Sequence, residues 1–267
     1  MTDSSDTVSS SLKLAVRYPI RSFLAALRFL TIIPVSWKSA DDGKFFRASV
    51  IWFPLIGLFI GFSVAMLILL LSPCLPGSVL AVFSILLLAG VSGFLHLDGL
   101  ADSGDGLLSS RPKDIALSIM RDSRSGAMGV IVLIFLILAK FAVLSSLTMN
   151  TLIPTLILMP VAGRTAILLS MAVLPYAREG EGLGQLFYGT DRFTTAGTAL
   201  LFFLLCSAII SMQLTFFILI ALVFTVAVFS RYCFVKLGGA TGDTLGAVCE
   251  ISELTVALAA LLQQGVP

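Results

Sequence analysis

The chain has 267 residues, of which 58% are hydrophobic and only 12% are charged, and its mean hydropathy is +1.05. Soluble globular domains are typically about 25% charged, so this composition excludes a soluble domain. The apolar runs are long enough to cross a bilayer, since about 20 helical residues span roughly 30 Å of hydrocarbon. The small net charge of +2 gives no indication of nucleic-acid binding. His96 is the single histidine, which excludes sites built on two or more histidines.

Hydropathy divides the chain into a short tail and one membrane domain. Residues 1–21 are polar and Ser-rich, which predicts a mobile cytoplasmic tail. Residues 22–37 are apolar but short and contain Arg28, which favours an interfacial or half-inserted helix. About seven transmembrane helices follow, so we predict an all-α polytopic membrane protein whose single integral-membrane catalytic domain covers 22–267. The expected spans are 48–71, 79–97, 127–148, 152–175, 195–211, 213–232 and 244–264.

The basic residues predict the orientation of these spans. With the N-terminus in the cytoplasm, every Lys and Arg except Lys140 and Arg164 lies in a cytoplasmic segment or at an adjoining span end. This asymmetry is the one that the positive-inside rule requires. No Asp or Glu lies in the predicted external loops, so we expect the functional site at the cytoplasmic face. We predict a multi-pass protein of the bacterial cell (inner) membrane, with the lipid bilayer as its surroundings.

Three aspartates, Asp98, Asp102 and Asp105, end the second predicted span with spacings of four and three residues. On a helix these positions share one face, where like charges repel unless a cation lies between them. Magnesium takes oxygen ligands and commonly bridges carboxylates to substrate phosphates, so the cluster predicts a metal site. The alternative is a solvated loop whose charges only keep it in water.

Arginines predict phosphate recognition near the same face. Arg121 and Arg124 precede Gly126 at the start of the next span, where guanidinium forks and exposed helix N–H groups suit an anion. The alternative is an ordinary basic membrane border with a helix cap. Arg164 lies inside a span and is expected to contact phosphate or to form a structural ion pair. Arg178 belongs to a Gly-rich loop, 175–184, that could close over a ligand.

A second Gly-rich stretch surrounds an acid near the last span. Asp243 precedes this span, and Glu250 follows two turns later on the same face. Acids at a membrane border are often functional, which favours a metal ligand or a general base. The alternative is that Asp243 only caps the helix.

Five motifs in order resemble the cobalamin synthase family, the adenosylcobinamide-GDP ribazoletransferases. They are SFLAALRFLTIIPV from Ser22, HLDGLADSGDG at 96–106, IMRDSRSGAMG at 119–129, PYAREGEGLG at 175–184 and GGATGDTLGA at 238–247. Together they extend over nearly the whole chain after the tail. The family is distantly similar to the CDP-alcohol phosphotransferases, which also hold metal with Asp/Gly patterns at cytoplasmic helix ends.

The resemblance implies a magnesium-dependent transferase that joins α-ribazole, or its 5′-phosphate, to adenosylcobinamide-GDP. GMP leaves, and adenosylcobalamin or its 5′-phosphate forms in a late step of cobalamin biosynthesis. The implied magnesium ligands are Asp98, Asp102, Asp105 and Asp243. The implied contacts to the substrate phosphates are Arg121, Arg124, Arg164, Arg178 and Gly126. The implied acceptor of the ribose hydroxyl proton is one of Asp122, Asp243 and Glu250.

Two other classes of protein remain as alternatives. An ion-coupled secondary transporter would use intramembrane acids, but its site would lie near the bilayer midplane, often between repeated halves. A membrane anchor for other membrane-associated corrin-pathway enzymes would need no clustered acids. Partner proteins of that kind are compatible with an enzyme as well.

Overall fold

The computed structural model describes residues 11–35, 42–122, 124–178, 183–188 and 191–265. Regular structure in these residues is helical, which confirms the predicted all-helical class. A 3₁₀ turn, Val50–Trp52, joins the third and fourth helices. The helices are α1 (Ser11–Arg17), α2 (Pro19–Leu30), α3 (Asp42–Ser49), α4 (Phe53–Leu71), α5 (Gly77–Val91), α6 (Leu95–Leu107), α7 (Lys113–Ile119), α8 (Ala127–Ser146), α9 (Met149–Val173), α10 (Leu183–Leu186), α11 (Arg192–Ile210), α12 (Met212–Leu237) and α13 (Gly242–Gln264).

The predicted number of membrane spans is confirmed. Six helical runs in the described residues are long and apolar enough to cross a membrane, and α5 with α6, bent by 90°, makes a seventh if the pair is counted as one span. Large apolar side chains on the outer faces of the bundle, such as Phe135, Ile209 and Phe224, are exposed and suit contact with lipid.

The second predicted span, 79–97, is wrong in its last turns. Helix α5 ends at Val91, and Gly93 and Phe94 both adopt positive φ, of 60° and 59°. Such φ values are unusual for a residue other than glycine and turn the chain sharply. The aspartates therefore do not lie in a loop after a straight span. They lie on α6, a separate helix that packs against α8 and α13.

The N-terminal region is more helical than its polar composition indicated. The predicted tail, 1–21, is described from Ser11 onward, and there it forms α1 and the start of α2. Proline is favoured in the first turn of a helix, which explains why α2 begins at Pro19 rather than at residue 22. The short helix predicted over 22–37 is present as α2, but it ends at Leu30, residues 31–35 are not helical, and 36–37 lie outside the described residues. Its depth in a bilayer stays a prediction, as does the mobility of residues 1–10, which also lie outside the described residues.

Helix α9 is the centre of the bundle and packs against α4, α11, α12 and α13. Glycines allow the closest of these crossings. A Cβ built on Gly61 of α4 would lie 2.5 Å from the carbonyl oxygen of Ile157, so no larger residue fits without moving a backbone. Small residues at crossings are the usual means of close helix packing in membranes, because lipid provides no hydrophobic driving force between helices.

Candidate active site

The N-terminus of α13 is fixed by a capping box. Thr241 Oγ1 accepts a hydrogen bond from Thr244 N at 3.2 Å, and Thr244 Oγ1 accepts one from Thr241 N at 2.8 Å. This arrangement satisfies helix N–H groups that would otherwise lack partners. The helix is thus capped by Thr241 and not by Asp243, so the capping alternative for Asp243 is wrong. The Asp243 carboxylate instead accepts a hydrogen bond from Arg178 Nη2 at 2.5 Å.

Arg178 reaches the start of α13 because a short β-bridge joins its loop to the segment before that helix. Ala177 N donates to Ala240 O at 2.8 Å, and Ala240 N donates to Pro175 O at 2.9 Å. The bridge lies directly beside Arg178, so the guanidinium is held at the first turn of α13. Residues 179–182 of the predicted Gly-rich loop lie outside the described residues.

Helix α6 crosses the first turns of α13 at close range because both helices carry glycine at the contact. A Cβ on Gly99 would lie 2.9 Å from Asp243 O, and a Cβ on Gly246 would lie 3.3 Å from the backbone of His96. Only glycine permits this backbone approach without displacement. The crossing brings the aspartates of α6 beside the start of α13.

A cavity of about 580 Å³ opens beside this crossing. All five sequence motifs contribute to its wall, although they lie far apart along the chain. Asp102 interacts electrostatically with Asp98 and Asp243, two carboxylates of the cavity wall. The charged side chains that line the cavity are Asp98, Arg121, Arg178 and Asp243, and the imidazole of His96 accompanies them. The apolar lining includes Phe29, Phe53, Ile167, Met171 and Phe187.

The charges of this region suit a cation whose coordination shell is completed by a bound ligand. Asp98, Asp102 and Asp243 outnumber the two arginines, and like charges this close repel. Across the described residues, no three His, Cys, Asp or Glu side chains are arranged to hold a metal ion by themselves. Magnesium is usually held by one or two carboxylates together with waters and substrate phosphates, and the aspartates fit such a partial set.

Asp105 has a different environment from the other two aspartates of its motif. Its Oδ2 accepts from Gly126 N at 2.7 Å, and its Oδ1 accepts from Gly129 N at 2.8 Å. Both oxygens therefore satisfy N–H groups at the start of α8. The hydrogen bond to Oδ2 occupies the backbone N–H of Gly126, which was expected to contact the substrate phosphates. The structure favours a structural role for these two residues, because Asp105 covers the helix terminus that was expected to bind an anion.

Asp122 and Arg124 do not line the cavity. They form an exposed ion pair, with Arg124 Nη2 2.7 Å from Asp122 Oδ2. The hydrogen bonds from the Arg124 guanidinium lower the pKa of Asp122 to about 2. A general base works best with a pKa near the working pH, so both the location and the pKa argue against Asp122 in that role.

Arg164 and Glu250 belong to a buried ion network instead of the cavity wall. Lys140 Nζ donates to Glu250 Oε2 at 2.6 Å and to Glu253 Oε2 at 2.8 Å. Arg164 Nη1 donates to Glu253 Oε1 at 2.6 Å. All four side chains are at most 5% exposed. For Arg164 the structure supports the ion-pair alternative over a phosphate contact, and for Glu250 it argues against a general base.

The network also reaches the bend between α5 and α6. Arg164 Nη2 donates to Ser92 Oγ at 2.8 Å and lies 3.5 Å from His96 Nδ1. Ser92 is the last residue before the two positive-φ residues, and His96 is in the first turn of α6. The ion network therefore fixes the bend that orients the aspartate-bearing helix.

The fold and the site define an integral-membrane helical protein with a cavity whose wall is part charged and part apolar. The cobalamin-5-phosphate synthase family model matches residues 22–261. The chain therefore belongs to the cobalamin-5-phosphate synthase family, and the family predicted from its motifs is confirmed.

Curated relatives agree with this family. A protein of Escherichia coli O127:H6 named adenosylcobinamide-GDP ribazoletransferase is 39% identical over 249 residues, which are 90% of this chain and 98% of the relative. Proteins of the same name from Thermoanaerobacter sp. (strain X514) and Clostridium acetobutylicum are 34% and 32% identical, over 88% and 87% of this chain and 95% and 92% of theirs. No solved structure matches the chain.

Sequence reasoning missed two features of this region. His96 was used only to exclude multi-histidine sites, although its position two residues before Asp98 was a visible signal. The phenylalanines of the cavity wall come from helices far apart in the chain, and nothing in their local sequence separates them from lipid-facing phenylalanines.

The role of Arg164 can be tested by charge balance. Arg164→Met should destabilise the protein by about 3–5 kcal/mol, because removing one partner leaves an uncompensated buried charge. Arg164→Met combined with Glu253→Gln restores neutrality and should recover much of that loss. Thermal unfolding in detergent measures both variants. A stable Arg164→Met protein with weakened substrate binding would contradict the structural assignment.

Proposed function

We propose that the chain is a magnesium-dependent adenosylcobinamide-GDP ribazoletransferase that uses α-ribazole or its 5′-phosphate as acceptor. A ribose hydroxyl oxygen forms a new bond to the phosphorus on the corrinoid side of the diphosphate. The bond from that phosphorus to the bridging oxygen breaks, and GMP leaves with the bonding electron pair. The hydroxyl proton passes to a carboxylate of the enzyme.

One observation carries this proposal: the five family motifs meet at a single cavity that contains both acids and arginines. A transferase acting on a diphosphate needs cationic groups near the phosphates and a carboxylate near the attacking hydroxyl. A transporter is not favoured, because the deeply buried acids, Glu250 and Glu253, are already paired with Lys140 and Arg164.

The arginines of the cavity supply the contacts to the diphosphate. Arg178 is half-buried, and its Nε atom finds no hydrogen-bond acceptor among the described residues. An unpartnered buried donor is costly unless a ligand satisfies it, and a phosphate oxygen is a suitable acceptor. Arg121 is exposed at the cavity wall and can turn toward the same group. Arg124 does not line the cavity and is paired with Asp122.

Asp243 is the favoured proton acceptor. Of the three carboxylates expected in this role, it is the one that lines the cavity, while Asp122 and Glu250 are each engaged elsewhere. Its carboxylate accepts a hydrogen bond from Arg178, which fixes its orientation at the cavity wall.

Asp98 and Asp102 are the proposed magnesium ligands, which leaves Asp243 as the base. Bound magnesium would neutralise charge on the phosphates and stabilise the leaving GMP. The surplus of acids over arginines at this place supports a cation, since an anionic diphosphate would otherwise meet net negative charge. Asp105 is not needed for this set, because both its oxygens bind the start of α8.

The direct test measures GMP release from adenosylcobinamide-GDP by the purified protein in detergent or nanodiscs. Release should require both α-ribazole and magnesium, and a corrinoid product should form in equal amount. Uptake of labelled substrate into sealed vesicles without GMP release would overturn the proposal.

Asp98→Asn should abolish transfer, by a factor on the order of 100 or more, while the protein still folds. The amide keeps the shape of the side chain but removes the charge that binds magnesium. Asp114→Asn is the matched control, since Asp114 is exposed on α7 away from the cavity. Turnover of Asp98→Asn close to that of the control, at saturating magnesium, would contradict the metal assignment.

The proposed orientation, with the N-terminus and the site in the cytoplasm, has its own test. Cys74 is exposed in the turn between α4 and α5, whereas Cys233 and Cys249 are buried and Cys206 is half-buried. A membrane-impermeant maleimide should therefore label Cys74 from outside the inner membrane in intact spheroplasts. The Cys74→Ser protein provides the blank. Labelling that appears only after permeabilisation would reverse the orientation.

A further inference from the structure

Three phenylalanines form a continuous aromatic patch in the wall of the cavity. The ring centroids of Phe29 and Phe187 are 4.7 Å apart, and those of Phe53 and Phe187 are 5.8 Å apart. Phe29 and Phe53 stack with an angle of 18° between their planes. The rings come from α2, α4 and the residue after α10, so three separate parts of the chain converge to build the patch, which we call the phenylalanine patch.

The phenylalanine patch is suited to a flat, apolar ring. Aromatic rings prefer stacked or edge-to-face neighbours, and stacking adds to the gain from buried area. Leu30, Ile167 and Met171 extend the same apolar lining. A purine such as guanine placed here would bury its ring nitrogens and exocyclic groups against apolar side chains. Buried polar groups without hydrogen-bond partners are strongly disfavoured.

The rest of the cavity complements such a ring. The volume of about 580 Å³ lies in the range of roughly 300–1,000 Å³ that buries small organic ligands. The charged group around Arg178 and Asp243 belongs to the same cavity. A ligand with an apolar bicyclic ring at one end and a ribose at the other would match both linings.

We propose that the phenylalanine patch binds the benzimidazole base of α-ribazole and selects apolar bicyclic bases over purines. This inference rests on the proposed function, since it assigns one of the two substrates to a part of the same cavity. The guanine of the other substrate is excluded from the patch, because its hydrogen-bonding edge would find carbon there.

The test separates the two Michaelis constants in single-ring variants. Phe29→Leu and Phe187→Leu keep apolar bulk but remove the flat ring, so the KM for α-ribazole should rise roughly tenfold, in line with stacking energies of bases on aromatic side chains. The KM for adenosylcobinamide-GDP should stay unchanged. Phe135→Leu is the matched control, because Phe135 is 69% exposed on the outer face of α8.

A polar variant tests selection directly. In the wild type, kcat/KM should favour the benzimidazole riboside over the corresponding α-riboside of adenine. Phe187→Asn offers hydrogen-bonding groups to a purine and should lower this preference by about tenfold. A preference that stays the same in Phe187→Asn would argue against selection by the patch.

The remaining outcomes are also decisive. A rise in the KM for adenosylcobinamide-GDP instead, or an equal rise in both constants, would overturn the assignment of the patch to α-ribazole. If the wild type releases no GMP, the proposed function fails, and equilibrium dialysis with labelled α-ribazole then decides the subsite. Binding to the wild type that weakens in Phe29→Leu supports the subsite, whereas absent or unchanged binding overturns it.

Discussion

The structure depends on an ion network buried among its helices. Lys140 of α8 and Arg164 of α9 pair with Glu250 and Glu253 of α13, and the set is electrically neutral. An isolated charge at this depth would cost at least about 2.5 kcal/mol, and the pairing removes most of that penalty. Removing either partner of such a pair leaves an uncompensated buried charge, so the pairs hold the register of α13 against α8 and α9.

That register is what builds the cavity. Helix α13 carries the buried glutamates and also begins at the cavity with Asp243, so fixing one end fixes the other. Arg164 additionally binds Ser92 at the bend, which orients α6 and its aspartates toward the same place. Gly99 and Gly246 then allow the two helices to touch. The charged groups inside the bundle balance one another, whereas at the cavity Asp102 adds a third carboxylate to the two acids and two arginines of the wall.

The sequence predicted the features that depend on local pattern. Hydropathy located the spans, and the order of the motifs identified the family, because each of these signals lies in short contiguous stretches of sequence. The ion-pair and hydrogen-bond partners of a side chain do not follow from local pattern, because they depend on which helices become neighbours. For Arg164 the sequence left a phosphate contact and a structural ion pair open, because its partner lies 89 residues away on α13. The expected metal ligand Asp105 turned out to be bound to the start of α8, a contact that spacing on its own helix cannot reveal.

The same reasoning explains why the aromatic part of the cavity was invisible in the sequence. With 20 phenylalanines in an apolar chain, a lipid-facing ring and a cavity ring look alike until the helices are assembled. Assembly separates them: Phe135 and Phe224 lie on the outer surface, while Phe29, Phe53 and Phe187 contact one another inside. A membrane bundle can thus hold an apolar subsite and a charged subsite in one cavity, because its core side chains are apolar whereas the side chains at its helix ends are charged. A substrate pair that combines an apolar base with a diphosphate needs both environments at once.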